Sequence, residues 1–306
     1  MKKVNVLLSA FNGEKFIQEQ IESIIGQEGV EIALYIRDDG SRDSTREILK
    51  KYQDKAVVIF GENKGFVRSF FDLLLRCDRA DYYAFADQDD VWFKDKINRA
   101  VVELEKIDTN TIPLVYCSNY LVCDEKLNIQ KQCPDLFEPF SIEKTVVNGQ
   151  TGFGLTQVFN NKMRDIVVSH PIPHLGRVFG HDTWVHFIGL CFGKVIYDKN
   201  PTVFYRRHGM NTSSQEYRGG SKFVHRLWQI KEFLLRSNGK LVYLDVKEFR
   251  EIFDKELSIE QKNKIDLYIT NHNFRATLKK VICSMRYRPN IVDEIMLRML
   301  FLIHKM

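Results

Sequence analysis

Asp87, Asp89 and Asp90 are three acids within four positions, and they end the apolar run Tyr82-Tyr83-Ala84-Phe85-Ala86. Carboxylates this close repel each other strongly in a partly desolvated cleft unless a cation, or a proton on one of them, relieves the charge. A hard divalent cation with oxygen ligands, Mg2+ or Mn2+, is the simplest relief, and phosphates are its usual third party. The same residues also fit a solvated acidic turn in which Asp90 caps the helix that follows.

Whatever these acids do, a scaffold must hold them. The run Tyr82 to Ala86 contains no turn former and reads as a buried strand, so the acids fall at its carboxyl end, where open parallel sheets bind ligands. The residues before it repeat one rhythm of strand, turn and helix. Val4 to Ala10 is a strand, and Ile17, Ile21, Ile24 and Ile25 mark one face of a helix over Glu14 to Gln27. Glu31 to Arg37 is a second strand, running into Asp38-Asp39-Gly40-Ser41, after which Asp43-Ser44-Thr45 can cap a helix. Ala56 to Phe60 is a third strand, and Phe66 to Leu75 a third helix. Ile97, Val101 and Leu104 predict a helix after the acids, and Pro113 to Val122 a further strand. This alternation predicts right-handed βαβ units and a mostly parallel, three-layer α/β sheet. Beyond about residue 135 the rhythm loosens. Strands are expected over Leu155 to Phe159, Lys194 to Tyr197 and Thr202 to Tyr205, and a helix over Asp182 to Leu190. From Ser221 only helical patterns remain, near Phe223 to Leu235, Ile259 to Met285 and Ile291 to His304.

Composition excludes several classes. A chain of 306 residues, 44% apolar and 28% charged, is neither disordered nor fibrous. Its six cysteines have no paired spacing, which argues against a zinc site and a disulfide framework and for a reducing compartment. The run Val4 to Phe11 is broken by Asn5, is followed by Asn12, and is too short for a signal peptide or a membrane span; it reads as the first strand of a cytoplasmic protein.

In order along the chain, Val6-Leu7-Leu8-Ser9-Ala10-Phe11-Asn12-Gly13, Asp38-Asp39-Gly40-Ser41 with Asp43-Ser44-Thr45, Asn63-Lys64-Gly65 and Asp87-Gln88-Asp89-Asp90 resemble the family 2 glycosyltransferases. Gly180-His181-Asp182 with Trp184, and Tyr205-Arg206-Arg207-His208-Gly209-Met210-Asn211-Thr212-Ser213, are similar to a bacterial rhamnosyltransferase-like branch. The resemblance covers roughly residues 3 to 212 and implies the A-type (Rossmann-like) fold. Phe11, where the branch often has Tyr, and Arg207, where Gln is common, are departures that remove no charged group the chemistry needs.

The resemblance implies a role for each motif. Asp89, in the D-x-D motif, would ligate the metal, and Asp87 would meet the ribose or a metal-bound water. Asp39 would accept hydrogen bonds from the base, with Ser9, Phe11, Asn12 and Glu14 closing the pocket, and Asn63, Lys64 and Gly65 forming a further nucleotide-binding turn. Arg206 and Arg207 would balance phosphate charge, their planar forks suiting paired oxygens. His208 would be a metal ligand or a diphosphate contact, against the alternative of a structural histidine. Asp182 is the expected general base, taking the acceptor hydroxyl's proton and contributing ~100- to 10,000-fold; it also suits a cap for the helix after it. Trp92, Gln150, Thr151 and Gly152 are expected on the acceptor side, although a Trp after an acidic turn is as often core.

Two segments are expected, a catalytic domain over residues 1–220 and a helical region over 221–306. Basic charge is segregated into the latter, which has 17 Lys and Arg against 10 Asp and Glu. There Lys222, Arg226, Lys231 and Arg236 interleave with Phe223, Leu227, Trp228 and Phe233, suiting an amphipathic helix on the cytoplasmic face of an anionic membrane. Packing against the catalytic domain or a second subunit, as in a homo-oligomer, fits equally well. A stripe suited to nucleic acid is absent. The expected function is inverting, metal-dependent transfer of a sugar from a nucleotide-sugar donor to a growing lipid-linked glycan or surface polysaccharide. The branch implies dTDP-L-rhamnose, with a UDP-hexose as alternative. A sugar nucleotidyltransferase would carry a glycine- and lysine-rich loop after strand one, which Ser9 to Lys15 does not supply. A sheet domain that binds sugar without turnover would not need both Asp89 and Asp182.

Overall fold

Five apolar residues in a row leave Tyr82–Ala86 (β4) no polar face to turn outward, and all five side chains are buried. Each fully buried large side chain of this kind stabilises the fold by about 1.5–3 kcal/mol, which fixes β4 at the centre of a sheet. The computed structural model describes residues 1–107, 111–148, 151–174, 179–209, 238–269 and 274–302. They fall into two compact units: Met1–Leu136, Gly152–Ile172 and His181–Thr212 form one, and Phe137–Thr151, Pro173–Gly180 and Ser213–Met306 the other.

In the first unit, β1 (Lys3–Ala10), α1 (Ile17–Ile25), β2 (Glu31–Asp38), α2 (Thr45–Lys50), β3 (Ala56–Phe60) and α3 (Phe66–Arg76) precede β4. After it come β5 (Val91–Trp92), α4 (Lys96–Glu105), β6 (Leu114–Cys123), β7 (Ile129–Gln132), β8 (Val158–Asn160), α6 (Asn161–Ser169), α7 (His181–Phe192) and β9 (Lys194–Arg206), with α5 (Ile142–Asn148) belonging to the other unit. The described strands make one nine-stranded sheet in the order β3-β2-β1-β4-β8-β6-β9-β5, with β7 on β6. Strands β3, β2, β1 and β4 are mutually parallel. β8 runs antiparallel between β4 and β6, and β9 is parallel to β6. Side chains alternate across the sheet as a strand requires. Val4, Val6, Leu8, Tyr82, Ala84 and Ala86 pack with Ile17, Ile21, Ile24 and Ile97 from α1 and α4, while Phe85 meets Phe70 of α3 and His181 of α7 on the opposite face. This is the mostly parallel α/β architecture that the strand rhythm predicts, in the A-type form that the family resemblance implies.

The chain winds from β1 toward β2 and β3 on one side and places β4 on the other, so the crevice between the carboxyl ends of β1 and β4 is a topological switch point. The register Leu8↔Ala86 beside Ala10↔Asp38 brings Phe11, Asp39 and Asp87 to the same edge of the sheet.

Differences from the sequence expectation have local causes. The strand expected over Leu155 to Phe159 is a 3-10 turn, Gly154–Thr156, followed by the short β8. Asn160 ends β8 by capping α6: its Oδ1 accepts from Met163 N (3.1 Å) and from Leu114 N (2.9 Å), so one side chain both starts a helix and ties two strands. The two strands expected over Lys194 to Tyr205 are one, β9, whose register against β6 shifts between Ser118 and Leu121, opposite Pro201. Strands β5 and β7 and helix α5 are short elements outside the sequence expectation, as is α6, although its buried Met163 and Val167 are spaced four apart.

The second unit is helical: α5, α8 (Asn238–Ile252), α9 (Ile259–Ile269), α10 (Phe274–Ile282) and α11 (Ile291–Leu302). Val147, Tyr287, Leu297 and Phe301 form its buried cluster. The hydroxyls of Tyr268 and Tyr287 are 2.7 Å apart, and Glu294 is held by Arg298 while accepting from Tyr287 N and Arg288 N at 2.8 Å each. The amphipathic stretch expected over Phe223 to Leu235 lies outside the described residues. Among the described residues no helix is long and apolar enough to cross a membrane.

Candidate active site

Two turns at the sheet edge are knitted together before any ligand is considered. Past β1, Asn12 N donates to Ser41 Oγ (2.9 Å), Gly13 N to Thr45 Oγ1 (2.8 Å) and Glu14 N to Asp43 (3.1 Å). In return, Arg42 N donates to Asn12 Oδ1 (2.9 Å) and Ser44 N to Glu14 Oε2 (2.8 Å). Gly40 makes the second turn possible: its φ is +85°, and a Cβ there would meet Asn63 N at 3.0 Å. Ser9 Oγ bonds Ser69 Oγ (2.8 Å). The polar side chains of Ser9, Asn12 and Glu14 therefore hold backbone and neighbours in place, where the sequence expectation had them closing the base pocket directly.

Asp39 is likewise engaged within the protein. Its carboxylate is 2% exposed, paired with Arg37 and accepting from Lys64 N (2.8 Å), so it fastens the Asn63-Lys64-Gly65 turn to β2. Asn63, Lys64 and Gly65 themselves are exposed, with Asn63 Oδ1 accepting from Gly65 N (3.0 Å). Phe11 is 43% exposed at the mouth of the crevice.

Gln88 was overlooked in the sequence because it is the variable middle position of the D-x-D pattern. Its Oε1 accepts from Phe11 N (2.8 Å) and its Nε2 donates to Phe11 O (3.0 Å), a two-bond clamp from the end of β4 to the end of β1. Gly13 leaves the space for that clamp, since a Cβ there would overlap the Gln88 amide. The clamp sets the spacing of the switch-point crevice.

The acids lie beside it. His208 Nε2 is 2.8 Å from Asp89 Oδ2, although the two residues are 119 positions apart in the chain. The His208 ring rests on Phe16 at 4.8 Å. Asp87 is pushed up to about 7, first by burial and then by the charges of Asp89 and Asp182. Asp90 is fully buried and raised well above the usual carboxylate range, by burial and then by Asp89 and Asp87, with Arg206 pulling the other way. Asp90 Oδ1 accepts from Arg206 N (3.2 Å), whereas its Oδ2 has no hydrogen-bond partner. Asp90 is thus neither a solvated acid nor a helix cap. Beneath it the Lys96 ammonium sits 3.7 Å from the Trp92 ring, lowered to about 7 by burial, an effect Asp90 partly offsets.

Asp182 lies in the first turn of α7, one residue inside a helix that starts at His181, so it is not the terminal cap. Its carboxylate, half-buried, packs on Gly154, where a Cβ would come within 2.8 Å of it. Gln157 Nε2 holds the Asp182 carbonyl at 3.1 Å. That Asp182 raises Asp87 places both carboxylates in one electrostatic neighbourhood. His181 faces inward, stacked on Phe70 at 3.9 Å, and its burial depresses it to about 4.

Three further expected site residues are buried within the protein. Arg206 is 2% exposed and spent on the protein: Nε to Asp89 O (3.0 Å), NH1 to Glu125 O (2.6 Å), NH2 to Glu19, with the guanidinium 4.5 Å over the Phe16 ring. It braces the backbone of the Asp87–Asp90 segment. Trp92 is 3% exposed and belongs to the core cluster, because β5 pairs with β9 and turns the indole inward. Gly152 is buried against Cys117, with its N–H donated to His186 Nδ1 (3.0 Å). Thr151 is half-buried and falls in the second unit, and Gln150 lies outside the described residues. Arg207 is exposed.

A cleft of about 180 Å3 lined by Phe11, Asn12, Lys15, Phe16, Asp89 and His208, among others, opens at this edge. Lys15 is a second residue that sequence reasoning missed: it is exposed and, among the described residues, makes no ion pair. Among the described residues no three-ligand metal cluster is already assembled. The donor set nonetheless fits a hard divalent ion. Asp89 and His208 are in mutual reach, and Asp87 beside them is raised to about 7 by burial and by the charges of Asp89 and Asp182, so positive charge is short there.

Known proteins resemble this chain in sequence and in fold. Over 249 residues the chain is 29% identical to the dTDP-rhamnosyl transferase RfbG of Shigella flexneri, covering 74% of this chain and 81% of that one. It is 31% identical over 111 residues to WfaP of Escherichia coli, described as a UDP-Glc:alpha-D-GlcNAc-diphosphoundecaprenol beta-1,3-glucosyltransferase, covering 35% of this chain and 44% of that one. The fold is similar to that of S. aureus TarS 1-349, with a TM-score of 0.58 at 14% identity over 99% of this chain and 80% of the other. The model of the family described as Glycosyl transferase family 2 matches residues 5–159, the span from the first strand through the clamp and the acids to β8. With that match covering half of its length, the chain belongs to glycosyl transferase family 2 and is a glycosyltransferase.

Proposed function

We propose that the protein is an inverting, metal-dependent transferase that moves L-rhamnose from dTDP-L-rhamnose onto a lipid-linked or growing surface glycan. The observation that carries the reading is the gathering of Asp89, His208, Asp87 and Asp182 at one sheet edge from three separate stretches of chain. The donor follows the name of the relative aligned over most of both chains; a UDP-hexose, as in the name of WfaP, is the second reading. Catalysis is proposed to reside in residues 1–220, with 221–306 as a helical region.

A bound Mg2+ or Mn2+ would neutralise the charge that develops on the leaving diphosphate, and Asp89 and His208 are the residues that would hold it. Asp87, beside them, would accept from the donor ribose or orient a water. Lys15 and Arg207, exposed at this edge, supply the phosphate-facing charge in place of Arg206. Asp182 takes the proton from the acceptor hydroxyl as its oxygen attacks the anomeric carbon. The new C–O bond forms while the bond to the diphosphate breaks, and the leaving group keeps the electron pair, which inverts the anomeric centre.

A thermal-shift panel of dTDP-rhamnose and UDP-hexoses with Mn2+ tests the donor, since a ligand at a hundred times its Kd stabilises by about 2.7 kcal/mol. Stabilisation by a UDP-hexose alone would replace the first reading with the second. Stabilisation by neither would remove both.

A further inference from the structure

The described part of the C-terminal region ends in a helix pair whose outward side is as apolar as its inward side. Inward, Leu297 and Phe301 of α11 pack with Tyr287, and Val281 of α10 lies against the same cluster. Outward, Phe274, Leu278 and Ile282 of α10 are spaced four apart, as are Ile291, Ile295 and Met299 of α11, and these side chains are 44–76% exposed. Residues four apart share one helix face, so each helix carries an apolar stripe over two turns that no described residue covers. A helix of a water-facing pair normally puts charge there.

The charges around these stripes are basic. Arg275 and Lys279 are exposed on α10 next to its stripe, and Arg286 is exposed in the connection. The acids of the same stretch are Asp293 and Glu294, and Glu294 is buried and bound to Arg298 at 2.7 Å. We propose that the α10–α11 pair is a membrane-surface docking element that lays Ile295, Met299 and their neighbours into the headgroup boundary of an anionic bilayer, with Arg275 and Lys279 on the lipid charges. A second copy of the chain fits less well, because a two-fold contact through the same face brings the basic rims together. Spanning is excluded for these helices by length, since twelve residues of helix reach about 18 Å against a hydrocarbon core of roughly 30 Å. The inference does not depend on the donor sugar or on the metal.

The test is co-sedimentation of the full chain with vesicles of phosphatidylcholine alone and of phosphatidylcholine mixed with phosphatidylglycerol, at low and high salt. The wild type should pellet with the anionic vesicles, at least about tenfold more weakly with neutral ones, and should be released by salt. The double variant Ile295→Asp/Met299→Asp and the charge variant Arg275→Glu/Lys279→Glu should each lose about tenfold or more in binding. All four positions are surface-exposed, and the melting temperature of the charge variant guards against misreading an unfolded protein. Wild-type protein that stays in the supernatant with every vesicle overturns the proposal, and so do variants that pellet like the wild type. If light scattering instead shows a wild-type oligomer that Ile295→Asp/Met299→Asp dissociates, with no vesicle binding, the face is a subunit interface and the proposal is wrong.

Discussion

The two turns past β1 and β2 and the acids past β4 share one edge of the sheet but are built on opposite terms. In the turns, the backbone N–H groups of Asn12, Gly13, Glu14, Arg42 and Ser44 all find a side-chain acceptor across the gap. Among the acids, Asp90 keeps an oxygen unpartnered, and Asp87 is raised to about 7 by burial and then by the charges of Asp89 and Asp182. The first region has spent these polar groups on itself; the second keeps like charge close together, the arrangement expected of a ligand site. Family motifs run through both regions, so motif membership alone does not separate the two kinds of residue. The hydrogen-bond accounting does.

The contrast is sharpest at Asp182 and Asp89. Asp182→Asn should cut turnover by ~100- to 10,000-fold with donor affinity near wild type, and Asp89→Ala should abolish metal-dependent donor binding in a titration with Mn2+. Full turnover in Asp182→Asn would show that the base lies elsewhere. Arg206 should behave as scaffold despite its place in a motif. Arg206→Met should lower stability by roughly 2–3 kcal/mol, measured by urea unfolding, because the carbonyls of Asp89 and Glu125 lose a charged donor. Arg206→Lys should not restore it, since an ammonium cannot reach in three directions along a planar fork.

His181, between the two regions in character, gives a pH test. Its folded pKa of about 4 lies below the ordinary value of about 6.5, so the unfolded chain binds its proton first as pH falls. Its contribution is complete above about pH 6.5 and is lost progressively below, amounting to about 2 kcal/mol at pH 5. His181→Leu should therefore flatten the fall in melting temperature between pH 7 and pH 5; an unchanged slope would show that the ring is not held neutral. The smallest effect belongs to the turns. Ser41→Ala should cost about 1 kcal/mol, from the lost acceptor for Asn12 N, and leave kcat within about twofold. A large loss of kcat there would erase the distinction between the regions.

Much of this edge was legible from residue order. The alternation of strands and helices gave β1 to β4 nearly to the residue, and Asp87 with Asp89 announced a charge problem at the end of a buried strand. Short elements were not legible: β5 has two residues, and β8 is set by Asn160 bonding to Leu114, a contact across 46 positions. The burial of Arg206 and Trp92 was not legible, because a charged or aromatic residue next to a motif looks the same in sequence whether it faces a ligand or the core.

Local pattern, then, determined the α/β class, the strand carrying the acids, the family and the candidate base, because hydrophobic period and side-chain chemistry are properties of neighbours along the chain. Only the tertiary structure decided that His208 stands against Asp89, that Gln88 clamps two strand ends, that Arg206 is a brace, and that α10 and α11 keep an apolar side turned outward. Each of these depends on where chain segments far apart in sequence come to rest, and on which hydrogen bonds and surfaces remain unspent once they have.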